Sequence, residues 1–238
     1  MESLGKKNPS FPPLFRGECV PSQASTFLKA IIAAKNNVAP GLIFYSEDIG
    51  LLEASIVLAP DIPLKKALGM VLVIQMGLAD SLGALAPPEL AVHFNWPNTI
   101  KVNGALCGKT FYQASLQDEN TIPEWLVLGF KIPFLWDKGM EAGDNPDETV
   151  LSNEGCIDMT PHSLLESWSR HTLVWLNRFL DEGLPPVHKA WCEKCDNLGE
   201  NIKWPETGKF MGLDENGNMI LRNSKQTLVK NLSHYMET

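Results

Sequence analysis

A chain of 238 residues, 44% of them apolar, is long enough to bury one substantial core, with or without a small appended domain. Its 28 acidic and 20 basic side chains leave a net charge of -8 with the basic residues scattered, which argues against nucleic acid or an anionic membrane as a partner, because neutralising phosphates takes clustered Lys and Arg. The five cysteines are an odd number in a chain of this size; they do not suggest a secreted disulfide framework and are expected to be reduced.

Met1 to Lys7 shows no apolar signal core, and Asn8 to Gly17, punctuated by Pro9, Pro12 and Pro13, reads as an extended lead-in. A soluble, cytoplasmic protein is expected. A helix should start at Pro21-Ser22, carry Phe27, Ile31 and Ile32 on one face, and end at Asn36, Asn37 and Pro40-Gly41. Leu42–Tyr45 and Leu52–Leu58 look like two buried strands, joined by the short acidic turn Ser46-Glu47-Asp48-Ile49-Gly50. Leu64, Leu68, Val71, Leu78, Leu82 and Leu85 recur at helical spacing and predict one long, largely buried helix that Pro87-Pro88 ends. The apolar run inside it, Ala67 to Ala79, is too short to span a bilayer.

A hairpin follows. Asn103-Gly104 supplies the positive backbone dihedrals that a two-residue turn requires, and the flanking residues have β-branched and alternating character. Pro97 cannot donate within a sheet, so Trp96 and Asn98 should sit at a strand end that faces an opening. Pro123–Leu135 suggests a central strand, and Asp137–Asp158 an acidic surface loop. Thr160-Pro161 starts the clearest helix, with Leu164, Leu165, Trp168, Thr172, Trp175, Leu176 and Phe179 on its inner face and Gly183 at its end. A second helix runs from Val187 to Cys195. After a connection between Asn197 and Thr207, Lys209–Leu213 and Met219–Leu221 form a small β unit.

Three groups of residues resemble one family. Trp96-Pro97-Asn98 followed by Ala105-Leu106-Cys107-Gly108 is similar, in order and spacing, to the Lys-Trp-Pro-Asn-Asp and Lys-x-x-Gly motifs of biotin/lipoate-protein ligases. Trp175–Gly183 with Trp191 resembles a helical segment of their catalytic domain, and Gly212-Leu213-Asp214-Glu215-Asn216-Gly217 resembles the Gly-Ile-Asp-x-x-Gly of their small SH3-like closing domain. The resemblance implies an α+β fold of the class II aminoacyl-tRNA synthetase type: a mixed β-sheet with helices mainly on one face, plus a small C-terminal β domain. It implies a catalytic-type domain over 1–198 and an SH3-like domain over 199–238. It also implies ATP and biotin or lipoate as ligands, and transfer of the acid through an acyl-adenylate to a lysine of a carrier protein.

The chain departs from that pattern where adenylate chemistry needs cations and amides. The family's Gly/Arg-rich loop is replaced by Ser46–Gly50, whose Glu47 and Asp48 repel oxyanions. The lysine and aspartate that flank Trp-Pro-Asn are Asn95 and Thr99, the lysine that holds the reacting groups is Ala105, and Gly-x-Gly-Ile-Asn reads Gly129-Phe130-Lys131-Ile132-Pro133. Lys101, Lys109 and Lys131 are nearby replacements whose faces depend on strand register. Trp96, Asn98, Gly104, Gly108 and Gly129 are therefore assigned to an open pocket with an acidic lip, with no catalytic residue named. His188, Cys192 and Cys195 share a helix face, but with no second Cys-x-x-Cys no metal site is expected. Two functions stand: a ligase acting on a biotin- or lipoyl-type acid, and a catalytically silent ligase fold that binds a carrier protein or a small carboxylic acid.

Overall fold

The computed structural model describes residues 8–137, 139 and 143–236. The N-terminal heptapeptide and residues 138 and 140–142 of the acidic stretch lie outside them. Seven strands form the main sheet: β1 (Arg16–Val20), β2 (Leu42–Ser46), β3 (Leu51–Leu58), β4 (Val92–Asn95), β5 (Thr99–Val102), β6 (Ala105–Ala114) and β7 (Leu126–Pro133), in the spatial order β1-β2-β3-β7-β6-β5-β4. β1 and β2 are parallel and every other neighbouring pair is antiparallel, so the sheet is mixed. β2 is buried along its whole length and β3 at all but its first residue. That fits strands covered on both faces.

One face carries α1 (Thr26–Lys35), capped by Ser25 Oγ accepting from Leu28 N at 3.3 Å. It begins later than the sequence suggests because Pro21 to Ala24 is spent in a turn, with Ala24 N donating to Pro21 O. Thr26, Ala30 and Ala34 point inward, while Ile32, expected on the inner face with Phe27 and Ile31, is 57% exposed. The other face carries α3 (Met70–Leu85) and α4 (Pro161–Glu182), with α5 (Pro185–Glu193) against both. The long helix expected from Leu64 is two pieces, α2 (Leu64–Ala67) and α3, broken at Leu68-Gly69. A Cβ on Gly69 would stand 2.9 Å from both Leu184 Cδ1 and Phe179 Cε2, so the break fits the junction of α4 and α5. Leu64–Leu85 is long and apolar enough to cross a membrane, contrary to the shorter apolar run read from sequence, yet 78% of its most apolar window is buried in this fold. It is the core helix.

α3 and α4 approach closely at Gly77, where a Cβ would come 2.1 Å from Thr172 Oγ1. Trp168 is fully buried between helix and sheet, its Nε1 donating to Ile74 O at 3.2 Å, and Trp175 Nε1 donates to Asp80 Oδ2 at 2.7 Å. α4 starts and stops as its sequence predicts: Thr160 Oγ1 accepts from Ser163 N, Ser163 Oγ accepts from Thr160 N, and Gly183 ends it at φ +77°. Gln75, a fully buried polar side chain on α3, donates to Pro97 O at 3.2 Å and Thr110 Oγ1 at 3.0 Å and accepts from Trp191 Nε1 at 2.7 Å. One amide thus ties the helix to the proline turn, to β6 and to α5.

The C-terminal unit has four strands where the sequence showed two: β8 (Asn201–Ile202), β9 (Gly208–Leu213), β10 (Met219–Arg222) and β11 (Thr227–Lys230), in the order β11-β10-β9-β8, followed by the single turn α6 (Leu232–Tyr235). β8 lies within the stretch read as a bare connection. Phe210, Leu213, Met219, Leu221 and Leu232 belong to the same buried cluster as α3 and the main sheet. Tyr112 Oη on β6 also donates to Ser233 O at 3.1 Å.

Candidate ligand-binding cleft

Strand register decides which side chains meet. On β6 and β7, Lys109 pairs with Lys131 and Phe111 with Gly129, and on β3, Glu53 pairs with Lys131 and Ser55 with Gly129. Side chains two apart share a face, so Lys109, Phe111, Lys131, Glu53 and Ser55 all lie on the α1 side of the sheet. At the Gly129 end α1 closes that face: a Cβ on Gly129 would stand 2.7 Å from Ser55 Oγ and 3.0 Å from Phe27 Cδ2. Beyond α1 the face opens into a cleft of about 340 Å³, with Lys109 and Lys131 on its floor. Leu51, Leu106, Phe111, Pro133, Leu135 and Trp136 give it apolar walls, and Asp137 and Glu148 stand at its exposed rim.

Lys131 is held in place. Its Nζ lies 3.2 Å from Glu53 Oε2 and 5.9 Å above the Phe111 ring. Glu53 is only 8% exposed and is fixed at the start of α1, where its Oε1 accepts from Thr26 N and Thr26 Oγ1, each at 3.0 Å, and from Ser25 Oγ at 3.3 Å. The carboxylate thus answers donors at the first turn of the helix and the ammonium of Lys131 together. Lys101 is directed elsewhere: it pairs with Asp196 beside the β4 edge and does not line the cleft. Register settles what the sequence left open, assigning Lys109 and Lys131 to the cleft.

The 143–158 stretch, read as surface loop, returns to the sheet. Glu148 bridges to Leu106, Leu151 N donates to Pro133 O, and Thr149, Val150 and Leu151 are buried. These contacts build the wall that brings Glu148 to the same cleft as the two lysines. Trp136 contributes a buried Nε1 with no hydrogen-bond partner among the described residues. The acidic turn touches the cleft at Gly50. Its Glu47 N donates to Val20 O at 3.1 Å and its Gly50 N to Asp48 Oδ1 at 2.7 Å, so those two amides are spent within the fold.

Of the residues assigned to a pocket from sequence, Gly108 lines this cleft. It must be glycine, since a Cβ would lie 2.4 Å from Ile132 Cδ1 and 2.5 Å from Lys131 O. Trp96 is 3% exposed beneath the C-terminal unit, its Nε1 donating to Gly217 O at 3.0 Å and its ring near Tyr235 and Trp204. Asn98 is buried, its carbonyl accepting from Thr110 N at 2.9 Å. Asn103 and Gly104, at φ +49° and +90°, make the expected turn between β5 and β6, away from the cleft. Gly129 lies under α1. Ala105 sits at the start of β6, paired with Val102, and brings no charge.

Cys107 is the thiol on the cleft wall, and burial, with Glu154 and Cys156 adding to it, pushes its pKa up to about 12. It is protonated at neutral pH and unsuited to nucleophilic attack. Among the described residues no group of three or more His, Cys, Asp or Glu side chains is placed to hold a metal ion.

Residues 11–193 match the model of the biotin/lipoate A/B protein ligase family. A biotin protein ligase-like protein of unknown function from Silicibacter sp. tm1040 has a similar structure at a TM-score of 0.90, with 40% identity, and the match covers 97% of this chain and 100% of that one. The biotin protein ligase of Aquifex aeolicus has the same fold at a TM-score of 0.73 and 18% identity, covering 91% and 96% of the two chains. The bifunctional ligase/repressor BirA of Bacillus spizizenii is 20% identical over 208 residues; the match takes in 80% of this chain and 60% of BirA, so the chain spans less than two thirds of that relative's length.

Proposed function

Because the chain belongs to the biotin/lipoate A/B protein ligase family, we propose that it binds a small carboxylic acid in the Lys109–Lys131 cleft and does not activate that acid as an adenylate at the rate of a competent ligase. The observation that carries this reading is the register pairing of Lys109 with Lys131 on one open face of the sheet. Two ammonium groups between largely apolar walls suit a single carboxylate with an apolar body. A triphosphate fits poorly. Asp137 and Glu148 put negative charge at the rim, Ala105 supplies no ammonium, and Glu47 and Asp48 add negative charge at the turn. The backbone donors and cations that stabilise developing charge in acyl transfer are worth several kcal/mol, and they are scarce here.

Calorimetric titration with biotin, lipoate and a plain fatty acid, and separately with MgATP, tests the reading. The expected result is saturable binding of at least one acid, weakened by Lys109→Met, with no saturable heat from MgATP. Tight MgATP binding without any acid binding would overturn it.

A further inference from the structure

A second and larger cavity, of about 1060 Å³, shares no lining residue with the Lys109–Lys131 cleft. It lies where the end of α4 and the start of α5 meet the turn between β9 and β10 of the C-terminal unit. Its floor is apolar: Phe179 on α4, Leu184 just ahead of α5 and Leu213 on β9 are all buried, and exposed Leu180 carries that surface out toward solvent. Two polar side chains also line it, the His188 imidazole on α5 and the Asn216 amide in the turn, and neither hydrogen-bonds to another side chain among the described residues. Burial lowers the His188 pKa, against the pull of Asp214, so the ring is neutral at neutral pH and presents one donor and one acceptor. The Asn216 amide presents both as well.

The charges around this cavity do not call for a charged ligand. Asp214 is already answered by Asn216 N at 2.8 Å, Asn218 N at 2.9 Å and Asn218 Nδ2 at 3.0 Å. Asp61 and Lys66 bring opposite signs to the mouth, and both are exposed, as is Glu215, so water screens them. A charged head drawn onto the apolar floor would lose its hydration without a buried countercharge, whereas an amide recovers its hydrogen bonds from His188 and Asn216. We propose that this cavity is a second ligand site, for an uncharged molecule that carries a primary or cyclic amide on a ring-sized apolar body. The body lies against Phe179, Leu184 and Leu213, and the amide faces His188 and Asn216.

The test titrates the full chain and its Lys109→Met variant, by calorimetry, with biphenylcarboxamide, biphenylmethylamine and biphenylcarboxylate, which put three heads on one apolar body. Lys109→Met takes acid binding in the first cleft out of the comparison. In that variant the carboxamide should bind about fivefold more tightly than either charged probe, and with the affinity it shows in the parent chain. His188→Phe combined with Asn216→Ala, which keeps a ring and the backbone of the turn, should weaken the carboxamide about fivefold. Leu180→Asn, at the exposed margin, should weaken all three probes. A carboxamide that binds no more tightly than a charged probe, that ignores both sets of substitutions, or that does not bind overturns the site. None of these results bears on acid binding at Lys109, which the difference in carboxylate affinity between the parent chain and Lys109→Met reads separately.

Discussion

At Gly108 a single added methyl meets backbone as well as side chain, because Lys131 O lies 2.5 Å from where its Cβ would be. A carbonyl in a paired strand cannot move aside cheaply. Gly108→Ala should therefore cost about 2 kcal/mol, as overpacking in a rigid site does, and urea denaturation should show it as a lower midpoint at unchanged slope. Gln75 is the opposite case, since removing it leaves groups unpaired. Gln75→Leu strands the Trp191 indole donor and the Pro97 carbonyl in the core, and at roughly 1–3 kcal/mol for each unsatisfied buried group a loss near 3 kcal/mol is expected in the same measurement. The Asn103-Gly104 turn was legible in the sequence because its chemistry is local. The role of Gln75 was not: its partners stand 22, 35 and 116 positions away.

Elements with strong local signals appear where the sequence puts them, and α4 shows why. Its cap, its first-turn proline and its terminal glycine all act within a few residues. Thr160→Ala should cost about 1 kcal/mol, the usual worth of an N-cap, read from thermal unfolding followed by circular dichroism. Elements stabilised by distant partners escape such a reading. β1 has four exposed residues out of five and little apolar pattern; it is a strand because β2 offers it a parallel edge. β8 and β11, of two and four residues, exist as pairings to β9 and β10. The break between α2 and α3 depends on Leu184 and Phe179 packing at Gly69, a contact across more than a hundred residues.

Over the whole molecule, three groups of residues spread along the chain identified the family, and the family carried the fold: a mixed seven-stranded sheet, helices mainly on one face and a small C-terminal sheet seated on the same core. The candidate site was less legible. Trp96 and Asn98 looked like pocket residues because they mark the motif, yet Trp96 lies beneath the C-terminal unit and donates to Gly217. The cleft instead draws on Lys109, Lys131, residues 135–137 and residues 148–150, whose meeting depends on a β6–β7 register that no single strand encodes. Ala105 brings no charge to the start of β6 and Ser46–Gly50 is a short acidic turn, and acid binding without efficient adenylation is what we propose from them. The most direct measurement is pyrophosphate release from MgATP by the purified chain, with and without saturating biotin or lipoate. The account predicts that neither acid raises release above the acid-free background; release that rises with either acid to the turnover of a competent ligase would contradict it.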